Sequence, residues 1–359
     1  MTYNNSKFNN SKSNNNNSKS NNNNSKSNNY KSKSNNYKSK LISQGSYGCI
    51  YYPGITCAGK TIKPKKTKDV VTKLQKNTFN ALNEINIGKM IMNIPNYHYY
   101  FLPVIKSCPI KLKEIHDSEQ LLSKCNIIRG KDKSKIDYIL MEIPYVSNVS
   151  FSDGKNTIIK LIETYSTLLE AIELLVDHHI VHLDLKGDNI LYNIKTGSAQ
   201  IIDFGLSIPI DQLTDNNLTN YFFVYSPDYY IWPLEVHVIN FLLHKLNNID
   251  TLFSLVHIND IVTSFVSHNK ALASFKEESI RYLTTFIGHK RSQIITELIK
   301  TYKTWDNYAL SVLYLTSIEN HRISIINDFS QLLLMNIMPD PAKRYSIEDT
   351  RRRFKDILA

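Results

Sequence analysis

Two short polar stretches, each directly behind an apolar run, constrain this chain more than any other feature. Residues 182–189 read HLDLKGDN and residues 201–205 read IIDFG. An aspartate, a lysine two residues on and an asparagine five residues on can serve as a base, an anion clamp and a metal ligand. The same residues can also do ordinary work, with the aspartates capping helices and the lysine solvated. Asp203 follows Asp184 by nineteen residues, a spacing that suits a short strand hairpin returning to one cleft. Asp184, Asn189 and Asp203 together would supply the hard oxygen ligands that magnesium on a polyphosphate prefers.

The surrounding pattern predicts two lobes. Residues 41–145 hold short runs rich in Ile, Val and Tyr, broken by Gly and Pro, with one helical stretch, FNALNEINIGKMIM. That reads as a small sheet plus a helix. From Asn156 the apolar residues Leu161, Tyr165, Leu168, Leu169, Ile172, Leu175 and Val176 recur at helical spacing and lead straight into HLDLKGDN. Between Leu234 and Met338 there is no proline and one glycine, so this part is expected to be helical throughout. The predicted class is α+β, bilobal, with a β-rich N-lobe at 41–145 and a helical C-lobe at 146–359.

The first forty residues are set apart by composition. A seven-residue repeat starts at Ser11, Ser18, Ser25 and Ser32 with almost no apolar side chain, which excludes a coiled-coil seam and predicts a disordered Asn/Ser/Lys-rich tail. The tail carries eight lysines and no acid, leaving only +3 of the formal +11 for residues 41–359. The folded part is close to balanced, and with no aromatic interleaving in the basic arm nucleic acid is not an expected partner. Cys49, Cys57, Cys108 and Cys125 lack zinc-type pairing, and no signal peptide precedes them. Reduced thiols and an intracellular, cytoplasmic location are expected. No apolar run reaches the length of a membrane span.

Taken together, HLDLKGDN and IIDFG resemble the catalytic and magnesium loops of eukaryotic-type protein kinases in residue type, order and separation. The resemblance extends over residues 41–359. ISQGSYGCIYY resembles the phosphate-covering loop, with Gly45 and Gly48 as its last two glycines, Ser43 replacing the first, and Ile50 in the same nucleotide-contacting set. VVTK ending at Lys73 resembles the strand lysine of the family, and Glu84 is the one acid between Lys73 and Glu114 that can pair with it. YILMEIPY resembles the strand and hinge behind the adenine. It implies Met141 at the back of the pocket, Glu142 as the first hinge residue and Pro144 where the hinge would donate an N–H that proline lacks.

The resemblance further implies Asp184 as catalytic base, Lys186 as the clamp on the transferred phosphoryl group, and Asn189 and Asp203 as magnesium ligands, with ATP and Mg2+ as cofactors and a protein as substrate. Glu235 and Arg344 would form a buried ion pair. Asp306, with Asp260 the weaker candidate, would hold the catalytic loop by its backbone. His182 takes a core position, and Leu183 stands where many relatives carry a phosphate-gathering arginine. Residues 236–304 are expected to be a helical insertion. A lysine two past the base is the serine/threonine pattern. A pseudokinase scaffold and a small-molecule kinase of the aminoglycoside or choline type are the alternatives. The excess of Asn, Lys, Ile and Tyr fits an AT-rich genome, and the divergent motifs resemble kinases of giant DNA viruses of amoebae, a bias shared by slime moulds and malaria parasites.

Overall fold

The computed structural model describes residues 38–45, 47–64, 69–116, 118–128, 137–151, 158–245, 271–318 and 324–359. Residues 1–37, most of the predicted tail, lie outside them, as does Asp260. The first strand, β1 (Lys40–Gln44), begins just before the expected boundary, and the preceding Ser39 is already buried, its hydroxyl donating to the Gly54 carbonyl.

The N-lobe sheet contains β1, β2 (Gly48–Tyr52), β3 (Val70–Lys76), β4 (Lys106–Ile110) and β5 (Tyr138–Pro144). Its order is β1-β2-β3-β5-β4, antiparallel throughout. The two-residue side-chain period sorts each strand into two apolar faces. On one face Ile139 and Met141 pack with Ala81 and Val104. On the other, Tyr51, Leu74 and Leu140 pack with Ile110, Leu112, Ile115 and Leu122.

A helix covers the first face: α1 (Phe79–Met92), the stretch expected from sequence. It is shared between two cores, because Ala81 faces the sheet while Ile87 and Ile91 belong to the C-lobe core. A methyl group on Gly88 would lie 2.5 Å from the Val104 carbonyl oxygen, so glycine lets the helix approach that backbone. The opposite face is covered by the segment after β4, which includes α2 (Ser118–Leu122).

All four cysteines are paired, which corrects the expectation of reduced thiols. Cys49 is bonded to Cys125 and Cys57 to Cys108, with Cα separations of 6.0 and 5.9 Å. The partners are 76 and 51 residues apart. Only the tertiary fold brings them within the roughly 4.4–6.8 Å that the bond geometry accepts. One bridge fastens the covering segment to β2, next to the glycine loop. The other fastens the β2–β3 connection to β4.

In the C-lobe, β6 (Asn148–Ser150) precedes α3 (Ile158–Asp177), which leads to β7 (Ile180–Val181) and then the hairpin of β8 (Ile190–Asn193) and β9 (Ser198–Ile201). This is the hairpin expected between Asp184 and Asp203. β10 (Ile208–Pro209) pairs with β7, and β6 adds to β8. Then follow α4 (Leu218–Tyr221), α5 (Leu234–His244), α6 (Ala271–Thr284), α7 (Arg291–Ile299), α8 (Trp305–Ile318), α9 (Ser324–Asn336) and α10 (Ile347–Leu358). The described part of 236–304 is therefore largely helical. Its first helix, α5, is buried from Leu234 to Leu242.

The lobes are joined by backbone hydrogen bonds as well as by the chain. Leu102 N–H donates to the Ile201 carbonyl at 3.0 Å, and Ile201 N–H to the Tyr100 carbonyl at 2.8 Å. Deep in the C-lobe, Arg344 binds Glu235 through two parallel bonds of 2.8 Å, with both side chains 0 % exposed. The guanidinium also donates to the Met338 and Pro339 carbonyls and the Thr304 hydroxyl.

Two outcomes are expected. Alkylation of the unreduced protein should label no cysteine. Dithiothreitol should lower the thermal midpoint, since each bridge closes a loop whose chain-entropy contribution is about 4 kcal/mol. Arg344→Met should destabilise the fold by about 3–5 kcal/mol in a denaturant titration, because Glu235 stays buried without its partner.

Candidate active site

The segment between β7 and β8 is held by a buried carboxylate. Asp306, at the start of α8, accepts from the backbone N–H of His182 at 2.6 Å and of Leu183 at 3.0 Å. Leu183 has φ of 62°, a left-handed conformation that a leucine adopts only when its surroundings over-determine it. Its side chain is buried in the C-lobe core and its carbonyl accepts from Trp232 Nε1 at 2.7 Å. Burial raises the Asp306 carboxyl, and His182 and the two donors act against that rise.

His182 takes the core position expected of it. It is fully buried, its Nδ1 accepts from the Asp184 N–H at 3.2 Å, its Nε2 lies 3.1 Å from the Ile202 carbonyl, and its ring packs edge-on against Phe204. Every polar atom of the ring is engaged in holding the loop.

The turn so fixed presents Asp184, Lys186 and Asn189 together. Lys186 Nζ lies 3.1 Å from both Asp184 oxygens. Asn189 Nδ2 donates to the Asp184 backbone carbonyl at 2.8 Å and to Oδ2 at 2.7 Å. With its amide N–H groups turned to Asp184, Asn189 keeps its side-chain carbonyl oxygen, the atom a hard cation binds.

Asp203 has φ of 61°, also left-handed. Its Oδ1 lies 2.8 Å from Lys73 Nζ, and Lys73 bonds both Glu84 oxygens at 2.9 and 2.8 Å. One ammonium thus ties β3, α1 and the loop after β9. Burial works against the Lys73 charge, yet Asp203 and Glu84 outweigh it and its pKa is raised. Burial likewise disfavours the Asp203 anion, but Lys73 outweighs it and the carboxyl stays below its usual value. Glu84 is pushed up to about 7 by burial against the pull of Lys73. The Asp203 side chain is 44 % exposed on the cleft, the one member of the trio open to a ligand.

The glycine loop lies where the β1–β2 turn brings it. Ser43 and Ile50 face each other across the strands, and Gly45 N–H donates to the Gly48 carbonyl at 3.0 Å. A Cβ on Gly48 would sit 3.2 Å from Lys73 Cε and Cγ, so glycine admits the lysine stem, while a Cβ on Gly45 would meet nothing within 4 Å. Tyr47, at the tip, meets Phe223 edge-on, and burial, then the Asp184 charge, raises its phenol pKa.

Met141 is fully buried between the sheet and α1, opposite Lys73. The Glu142 carbonyl accepts from Ile105 N–H at 2.9 Å on the β4 side. β5 continues through Pro144, paired with Val70, and Tyr145 N–H donates to the Asp69 carbonyl at 2.9 Å. Glu142 and Pro144 thus lie in the last residues of β5. Proline is accommodated because its nitrogen faces the β4 side beyond the last paired residue of that strand.

Sequence reading also missed contacts that only folding creates. Asn83 on α1 donates to the Ser207 carbonyl at 2.7 Å, and the Ser207 hydroxyl donates to the His182 carbonyl at 3.2 Å. Tyr229 reaches the Asp184 carboxylate. Among the described residues, no group of three His, Cys, Asp or Glu side chains could by itself cage a metal. No described helix is long and apolar enough to cross a membrane.

The protein kinase domain family matches residues 110–231. Over 110 residues the chain is 34 % identical to "Probable cyclin-dependent kinase 10" of Dictyostelium discoideum, covering 29 % of each chain. Over 116 residues it is 32 % identical to "Serine/threonine-protein kinase pim-2" of Danio rerio, covering 30 % of this chain and 36 % of that one. The aligned stretches thus span about a third of those relatives' own length, and neither relative is viral. The sheet-and-helix N-lobe, the helical C-lobe and these partial matches support the eukaryotic-type protein kinase superfamily, with residues 110–231 the part matched by the family itself.

Gly88→Ala should cost about 1–3 kcal/mol of stability, as overpacking does. Because α1 must retreat from Val104, Glu84 one turn earlier should lose Lys73. Calorimetric titration with magnesium–ATP is expected to show weakened binding.

Proposed function

We propose that the chain is a magnesium–ATP-dependent serine/threonine protein kinase. The observation that carries this reading is a pair of hydrogen-bonded sets, Lys73 with Glu84 and Asp203 and Asp184 with Lys186 and Asn189, brought side by side where Ile202 N–H, next to Asp203, donates to the Asn189 carbonyl at 2.9 Å. A pseudokinase scaffold has no need to keep a buried lysine between two carboxylates.

The roles follow from the chemistry of each group. Asp184 takes the proton of a substrate hydroxyl as its oxygen bonds to the γ-phosphorus and the bond to the β-bridging oxygen breaks, releasing ADP. Lys186 leaves its contact with Asp184 to steady charge on the transferred group. Lys73, held charged and aimed by Glu84, binds the nucleotide phosphates. The Asn189 carbonyl oxygen and the open edge of Asp203 fit magnesium, which would neutralise phosphate charge. The glycine loop around Gly45 and Gly48, with Ser43 and Ile50, would cover the phosphates and the nucleotide. Lys186 supports serine or threonine as acceptor. Leu183, buried and without charge, supports activity that needs no phosphorylated activation segment. Ser207 within that segment is fully buried, with its hydroxyl engaged by His182.

Asp184→Asn should reduce transfer of radiolabelled γ-phosphate to casein by about 10²–10⁴-fold, the usual contribution of a general base. Magnesium–ATP affinity and the thermal midpoint should be kept, since the change is nearly isosteric. Near-wild-type turnover of the variant would refute the base assignment. Label entering choline or an aminoglycoside rather than casein would favour the small-molecule kinase.

A further inference from the structure

The phenol of Tyr229 sits on the catalytic carboxylate. Its hydroxyl donates to Asp184 Oδ1 and accepts from Lys186 Nζ at 3.1 Å. The other contacts of that carboxylate are Lys186 Nζ on both oxygens and Asn189 Nδ2 on Oδ2. An ionised carboxylate offers about four acceptor positions, and these contacts fill both oxygens. A base in this role needs one position for the attacking hydroxyl, at about 2.6–3.2 Å.

Of the three donors, Lys186 has work elsewhere during the reaction, on the transferred phosphoryl group, while Asn189 binds a cation through its carbonyl oxygen and can keep its amide on Asp184. Tyr229 comes from the segment that follows the magnesium loop and contributes a neutral O–H. That is the same chemical group, in the same hydrogen-bonded relation to the base and to Lys186, that an acceptor side chain would present.

We propose that Tyr229 holds the acceptor-hydroxyl position of this site, and that a serine or threonine of the substrate enters by displacing the phenol from Asp184. The inference rests on the kinase reading above. The platform for such a displacement is built into the loop. The Tyr229 ring lies edge-on to Trp232, with centroids 4.9 Å apart, and Trp232 is tied to the catalytic loop through the Leu183 carbonyl. Lys186 Nζ lies 5.6 Å from the ring centroid. The residue is only partly buried, so the hydroxyl can leave the carboxylate for solvent while the ring keeps its contact with Trp232. Burial, and then the Asp184 charge, raise the phenol pKa, so the group remains a neutral donor throughout the physiological range.

Tyr229 thereby acts as an internal competitor that sets the substrate KM.

Tyr229→Phe keeps the ring and its packing on Trp232 and removes the hydroxyl. With casein as acceptor, KM should fall about five- to ten-fold, as expected for one hydrogen bond released, with kcat within about two-fold of wild type. A fall in kcat with KM unchanged would overturn the proposal, since Tyr229 would then be positioning the base. Unchanged KM and kcat would overturn it as well. A second readout needs no turnover. N-acetylimidazole should leave the Tyr229 hydroxyl unmodified in the wild type and acetylate it in Asp184→Ala, as mapped by peptide mass. Equal acetylation of Tyr229 in both proteins would overturn the contact itself. If neither wild type nor Tyr229→Phe labels casein while protection still depends on Asp184, the contact is supported and the kinase reading is what fails.

Discussion

The catalytic loop exists in its observed shape because one buried carboxylate, Asp306, accepts two consecutive backbone N–H groups. Without those bonds, Leu183 would have no reason to hold a left-handed conformation that costs of order 1–3 kcal/mol. With them, the chain reverses direction at Leu183 and delivers Asp184, Lys186 and Asn189 to one side. Ser207 and Trp232 bond the same short turn from two other directions, and the His182 ring within it reaches the Ile202 carbonyl. Asp306 lies 122 residues beyond Asp184 in the chain, and helix α8 is the rigid element that carries it back.

A second constraint is electrostatic. Lys73 stands between Glu84 and Asp203, and each carboxylate makes the buried ammonium tolerable. Removing Lys73 would leave the two carboxylates beside each other with no counter-charge. The position of α1 therefore depends on charge as well as on packing against Val104 and the sheet. Asn83, one residue before Glu84, bonds the Ser207 carbonyl in the same stroke. The helix, Asp203 and the loop that carries Asp184 are thus linked through short, direct contacts.

At rest these groups satisfy one another. Asn189 and Lys186 both turn to Asp184, and Asp203 turns to Lys73. Nucleotide would enter by exchanging the lysines' internal partners for phosphate oxygens, which keeps the net change in hydrogen bonding small, and the Asn189 carbonyl oxygen would take a cation while its amide stays on Asp184. The partly exposed Asp203 is the natural first point of that exchange.

Residue type and spacing alone made the candidate set legible. Asp184, Lys186, Asn189 and Asp203 lie on local turns whose geometry follows from a few neighbouring residues, and Lys73, Glu84, Asp306 and the Glu235–Arg344 pair follow once a fold is assumed. The α+β division was legible too, because helical and strand periods differ along the chain. Other features belong to tertiary structure. The cysteine pairs join residues 76 and 51 apart, and no local pattern specifies which sheet face a later segment will cover. MEIP has the residue types of the end of a strand, and how far β5 continues is decided by Val70 and Ile105 across the ladder. Tyr229 is one aromatic among many in a loop, and it acquires a role only where the fold lays its hydroxyl on Asp184. Local chemistry is written in order and spacing, whereas the pairing of distant surfaces is set by burial and hydrogen bonds that exist only after the chain has folded.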